Sequence, residues 1–475
     1  MLRLLCFTAA LAPGTAAASP GEHSPVGAAR ALEAAEAALN GPATLSAGAT
    51  SAAPDATYAL RNLAVALPAL DGVDRRRAEQ ILARPTDKDD VQYFGKEAAD
   101  SPICNPDFCI HWTETEKNAP MNDAFIDQVA AAADRSFFVE NEVLAWQRPK
   151  GDGSRGARNG VGGEGQTDVY ITDLGRGLYG FAAPDPGQRG PSRFAYLVLD
   201  NNYIGFPSPP LESMQVTVAH EYNHILQFGY DIFEDLWMFE STATWVEQYV
   251  FPDVDDYLNY LPAFASTPET PLTGEGIEIY AEAVWNHWLS SRYKPDVVRQ
   301  AWAGSRSAEP PSFAPAAYDS AIRLKGGRSF SQEFGEFAAA TAEWRSFPLV
   351  FPDAAAYPDM KRKGKLGSKT TTLKLDNTSY RLLTVKPHGS RATLKVKAPQ
   401  GIHSTIALVG RVGPAEGGAV TVRSRYLAGG GRGTVQLDRL ASFDRVTALV
   451  INGDARRGNQ GFKSDASKYR ASLKG

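Results

Sequence analysis

The chain has 475 residues, 43% of them hydrophobic and 22% charged, a composition that excludes a disordered or fibrous protein and leaves room for two or three cores. The net charge of −5 is unevenly spread: residues 361–475 hold 23 Lys plus Arg against 6 Asp plus Glu, net +17, so residues 1–360 carry −22. After the first twenty residues no stretch approaches the roughly 18 consecutive apolar residues of a membrane helix, which excludes a helical anchor there.

In chain order, "MLRLLCFTAALAPGTAAASP" joins one early cation, a short apolar run and a small-residue site. It predicts a secretory signal over residues 1–18 and a released, extracellular product. Residues 19–95 read as a helical leader. Ser24-Pro25 opens a helix through "VGAARALEAAEAALN" that Gly41 closes, an Ala/Ser/Pro/Gly loop follows, and Asp74 caps "RRRAEQILAR" before Pro85. Such a leader is an inhibitory or folding prosegment, as in a zymogen, or an extension that stays attached. Cys104 and Cys109, in "CNPDFC", have no third soft ligand and read as a short-loop disulfide.

Residues 96–360 predict an α+β arrangement with a helix lying on a sheet. "FCIHWTE" is a strand, and Asn122 or Asp123 opens an amphipathic helix to about Trp146, with Phe125, Val129, Phe137 and Val143 inward. "DVYITDL" and "RFAYLVLD" are further strands, and a helix carrying "VAHEYNHILQFG" follows. Gly160, Gly162 and Gly165 spell the dinucleotide fingerprint, but a polar loop precedes them and a strand follows, so they read as a loop. Residues 277–345 read as helices, "KRKGKLGSK" (Lys361–Lys369) as a linker, and the alternating segments from Thr370 onward as a small β-sandwich. This basic tail, residues 361–475, binds a polyanion such as cell-wall polymer, acidic polysaccharide or nucleic acid, or sits against the acidic body, or serves solubility. Nothing in it marks a specific nucleic acid.

The chemistry concentrates in "HEYNH". Two histidines four apart project from one side of a helix, so His220 and His224 can reach one Zn²⁺ at roughly 2.0–2.1 Å. Glu221 lies about 100° further round, beside the metal, where it can take a proton from the attacking water. A zinc enzyme needs a third protein ligand. Asp231, Glu234 and Asp235 fall in the loop after Gly229, while Glu240 begins "ESTATWVEQYV", a second helix ended by Phe251-Pro252. An antiparallel return brings Glu240 back to the histidines, Ala243 lets the helices approach, and Glu247 lies on the same face as partner to an imidazole. Glu240 is the expected third ligand.

HEYNH with a glutamate after fifteen intervening residues, in "WMFESTATWVE", resembles the gluzincin clan of zinc metallopeptidases. More narrowly, "CIHWTE", "DVYITDL", "YLVLDN" and "YAEAVWNHWLSSRY" extend a likeness to secreted bacterial metalloproteinases over about residues 104–293. The resemblance implies a zincin-like fold, a polypeptide substrate and one catalytic Zn²⁺ held by His220, His224 and Glu240, with Glu221 as general base. It also implies an oxyanion-stabilising Tyr or His on a later helix. Tyr280 is the first candidate and His287 the second, seven apart along one helical face; both also read as packing residues beside Trp285 and Trp288. Phe239 stands where the familiar members carry Asn before the third ligand, a departure that bears on substrate-backbone contacts. A zinc hydrolase of another amide or ester would need the same site, and an adhesion module would need none of its turnover. The Asp- and Gly-rich loops leave a structural calcium ion open.

Overall fold

A computed structural model describes residues 24–40, 56–88, 90, 93–94, 102–114, 117–175, 177–274, 276–305, 314–455 and 465–474; the expected signal at 1–18 lies outside them. Among the described residues the leader holds three α-helices. Ser24 caps α1 (Pro25–Asn40) by accepting the Gly27 N–H at 3.1 Å, with Pro25 preset for the first turn. The stretch expected as a plain loop contains a second helix, α2 (Ala56–Ala66), in which Ala56, Ala59, Leu60 and Leu63 are buried. The next helix, α3 (Gly72–Ile81), starts one turn earlier than the Asp74 cap predicts. Asp71 occupies the extended position before it and Asp74 sits in the first turn.

The middle of the chain forms a mixed five-stranded sheet. Its strands are β1 (Ile103–Cys104), β2 (Phe108–His111), β3 (Thr167–Thr172), β4 (Gly180–Pro184) and β5 (Ala195–Asp200), in the order β1-β2-β3-β5-β4. The pairs β2/β3 and β3/β5 are parallel; the outer strands run antiparallel to their neighbours. Cys104 lies opposite Cys109 across the β1–β2 ladder, and the two form a disulfide. Among the described residues the GxGxxG stretch is a loop, with positive φ at Gly160, Gly162 and Gly165, and β3 follows it directly.

Strand alternation divides this sheet between two cores. Val169, Ile171, Leu197 and Leu199 point to the face covered by α4 (Asp123–Phe137) and α5 (Pro210–Tyr230). Tyr170, Phe181, Tyr196 and Val198 point the other way and are buried against the leader helices. The leader is therefore one of three layers. Helix α4 ends sooner than its periodicity predicts, because a π-helical turn spans Phe138–Val143. Phe125 and Val129 are fully buried as expected. The wider turn breaks the 3.6-residue phase, leaves Phe137 half-buried and turns Val143 out to 59% exposure; Val139, Glu140 and Asn141 face inward instead.

Helix α6 (Leu236–Val250) packs back along α5, and α7 (Leu261–Ser266) to α12 (Phe330–Thr341) build a helical layer beyond it. Between them lie α8 (Glu278–Ala281), α9 (Ala283–Tyr293), α10 (Asp296–Ser305) and α11 (Ala314–Leu324). The C-terminal strands are β6 (Thr371–Leu375), β7 (Ser379–Val385), β8 (Arg391–Ala398), β9 (Ser404–Val412), β10 (Ala419–Leu427), β11 (Gly431–Asp438), β12 (Arg445–Asn452) and β13 (Ser467–Lys474). They form two four-stranded antiparallel sheets, β10-β9-β12-β7 and β11-β8-β13-β6, around a shared apolar core of Leu394, Val396, Ile406, Leu408, Ala448 and Tyr469. The first sheet is covered on its other face as well, where Ala407, Val409 and Leu449 join the main core against α12. The Lys361–Lys369 stretch is tied down: Arg362 donates to Thr447 Oγ1 and Ala342 O, Lys363 N–H donates to Leu382 O, and Leu366 is buried.

Candidate metal centre

Helix α5 carries the histidine pair where the α4 face of the sheet meets α6, so every residue from His220 to His224 is buried. Helix α6 runs antiparallel to α5: Glu247 meets His220 at one end, and Phe239 O accepts from Gln227 at the other. Glu240 lies in the second turn of α6, since that helix starts four residues before the expected point. Its Oε2 is 3.1 Å from His220 Nε2 and its Oε1 is 3.6 Å from His224 Nε2. One ligand atom from each of His220, His224 and Glu240 lies within 4.8 Å of the others, and among the described residues this is the one group of three metal-type side chains so placed. Asp231, Glu234 and Asp235 are buried in and beside the α5–α6 turn, where they accept backbone N–H groups from Phe233, Asp235 and Ala314; none joins the cluster.

Which nitrogen of each ring faces Glu240 follows from the outer partners. Gln227 Nε2 donates to Asn223 Oδ1 at 2.7 Å and to Phe239 O at 3.1 Å, so its Oε1 is left to accept. That oxygen lies 2.7 Å from His224 Nδ1, which must carry the proton. Asn223 in turn donates to Glu140 Oε2 at 2.8 Å, so a residue on the π turn anchors the relay. Glu247 Oε1, 2.6 Å from His220 Nδ1, plays the same part for the first ring. Both Nε2 lone pairs then converge on a carboxylate, and His224 Nε2 is buried without a hydrogen-bond partner.

Three acceptors meeting in a buried site repel unless a positive charge lies between them. Burial alone would lower the pKa of His220; hydrogen bonds and charge from Glu240 and Glu247 win and hold it well above the ordinary imidazole range. His224 is raised in the same way against its burial, mainly by the Glu240 charge. Burial works to raise Glu240, yet the two imidazoles hold it far below the usual carboxylate range. Glu247, where burial prevails, is pushed up to about 7. A divalent cation would take the place of the Nε2 protons that Glu240 favours, leaving two neutral imidazoles and an ionised carboxylate, the donor set that suits Zn²⁺, and the residues present fit that ion.

Glu221 stays outside the cluster. Its Oε2 accepts from Thr57 Oγ1 at 2.9 Å, and that hydroxyl accepts the Ala182 N–H at 3.0 Å, so a leader residue ties the base candidate to the outermost strand of the sheet. Tyr280 stands beside His220, with ring centroids 6.1 Å apart, and packs on Tyr260. His287 goes elsewhere: its ring meets Tyr257, and burial drives its pKa down to about 3. The expectation of one shared face fails at Glu282, where α8 ends and α9 begins, so the two residues do not lie on one uninterrupted helix.

No family model matches the chain, and no curated protein matches it. Among solved structures, one described as "Family 16 Carbohydrate Binding Module-2" aligns over 23% of this chain and 73% of its own length, at 9% identity and a TM-score of 0.14. A likeness that slight carries no argument about this chain.

Proposed function

We propose that the chain is a zinc-dependent endopeptidase released from the cell, built on a zincin-like scaffold over residues 96–360 with a β-sandwich accessory domain after it. The observation that carries this reading is the meeting of His220 Nε2, His224 Nε2 and the Glu240 carboxylate beside Glu221. A zinc ion bound there would polarise a substrate carbonyl and acidify a water. His220 and His224 hold their Nε2 lone pairs toward the ion because Glu247 and Gln227 fix the opposite nitrogens. Glu221, outside the ligand set, takes the proton from the attacking water and passes it to the leaving amine. Tyr280, beside His220, donates its hydroxyl to the developing oxyanion. No helix among the described residues is long and apolar enough to cross a membrane.

The test is mass spectrometry of a reduced, denatured protein incubated with the chain or with its Glu221→Gln variant. Fragments from the wild type alone support the reading. No fragments from either, in samples holding one zinc per chain, would reject peptide bonds as the substrate.

A further inference from the structure

The cations of the C-terminal strands are sorted by direction. Those facing the body find carboxylates there: Glu343 takes Arg362, Arg411 and Arg445, and Glu269 takes Lys363 and Arg381. Those on the far side are not. In the β11-β8-β13-β6 sheet, Arg432 lies opposite Lys397, and Lys397 lies opposite Arg470, making one row of cations across three strands. Lys395 follows two positions along β8, and Lys468 lies opposite Lys374. All six are exposed, and none pairs with a carboxylate among the described residues. Among the described strand residues the one acid on this face, Asp438, is taken by Arg391. Like charges placed directly opposite one another destabilise a sheet. Among the described residues no carboxylate offsets that cost, and this face lies away from the body, beyond the core that joins the two sheets.

We infer that the outward face of the β11-β8-β13-β6 sheet docks an acidic polysaccharide. Neighbouring strands lie about 4.7–4.9 Å apart, so the Arg432–Lys397–Arg470 row presents cations at about the length of a sugar unit. A linear chain laid across the strands meets one cation per step. Thr372, Thr434 and Ser472 alternate with the cations on the same face and offer hydroxyls to those of a glycan. The outward positions hold no aromatic or aliphatic side chain. The face therefore lacks the stacking platforms that single-stranded nucleic acid uses, and any apolar wedge to enter a membrane.

The inference is independent of the zinc centre, and its test reads no hydrolysis. Binding of the full chain to polygalacturonate and to heparin is titrated at low and at moderate salt, beside random duplex DNA and phosphatidylglycerol vesicles. The variant Lys397→Gln/Arg432→Gln/Arg470→Gln is compared with Arg189→Gln/Lys294→Gln/Lys361→Gln, an equal change of charge at exposed cations outside the C-terminal strands. The expected result is salt-sensitive binding to at least one glycan, weakened about tenfold or more in the first variant and little changed in the second. Which glycan binds tells carboxylate from sulfate recognition. No glycan binding at low salt, equal losses in both variants, or tighter binding to DNA or vesicles would each overturn it.

Discussion

At the residue scale, the candidate metal cluster is legible because its three side chains obey local helix geometry. His220 and His224 share a face at four-residue spacing, and Glu240 returns on the next helix. Gln227 was missed, although its place three residues after His224 is a neighbouring position on the same helix surface. Thr57 left no signal at all: 164 residues separate it from Glu221, and no local pattern links a leader threonine to a base. The outer partners make a measurable claim. Gln227→Leu should keep the fold and lower zinc affinity by roughly 10–100-fold, read by competition with a chelating dye, since His224 would lose the acceptor that fixes its tautomer. Unchanged affinity would mean that the His224 orientation is set by packing against Phe228 and Phe239 alone. Tyr280→Phe should lower kcat by roughly 100-fold with zinc content and KM little changed, in line with losing one oxyanion donor. An unaffected kcat would remove Tyr280 from the chemistry.

At the scale of elements, β2, β3, β5 and the two helices of the candidate metal centre follow from composition and period, whereas β4, α2 and the end of α4 do not. The β4 sequence "GFAAP" has no β-branched residue; Gly180 is needed there because a side chain would meet Val198 O at 2.9 Å. The π turn after α4 has no period of its own to read, yet it supplies the Glu140 that steadies Asn223. The leader is the largest such case. Its helices bury Phe181 and Val198, worth about 1.5–3 kcal/mol each, and its Arg84 guanidinium donates to the buried carboxylates of Asp185 and Asp168 and to Asp152. A chain lacking residues 19–95 should therefore aggregate or melt far below the full chain in a thermal scan, with Asp152, Asp168 and Asp185 deprived of the Arg84 guanidinium that joins them. A soluble, equally stable and more active truncated chain would instead identify the leader as a removable inhibitor.

For the whole molecule, the charge split between residues 1–360 and 361–475 was readable by counting, but its division between two surfaces was not. Part of the basic tail is matched to the body through Glu343, a buried carboxylate that gathers three arginines where α12 meets the β10-β9-β12-β7 sheet. Glu343→Gln should destabilise the full chain by about 3–5 kcal/mol, seen as a lowered denaturation midpoint, because it leaves Arg362 and Arg411 largely buried without their counter-charge. A change under about 1 kcal/mol would place the strength of that junction in its apolar contacts instead. Helices, central sheet and C-terminal sheets are thus held together by contacts that only the fold brings within reach.

The most direct measurement is elemental analysis of the purified full chain after dialysis against a weak chelator, beside Glu240→Gln. The account predicts one zinc per chain in the wild type and almost none in the variant. A metal-free wild type, or a variant that keeps a full complement of zinc, would contradict it.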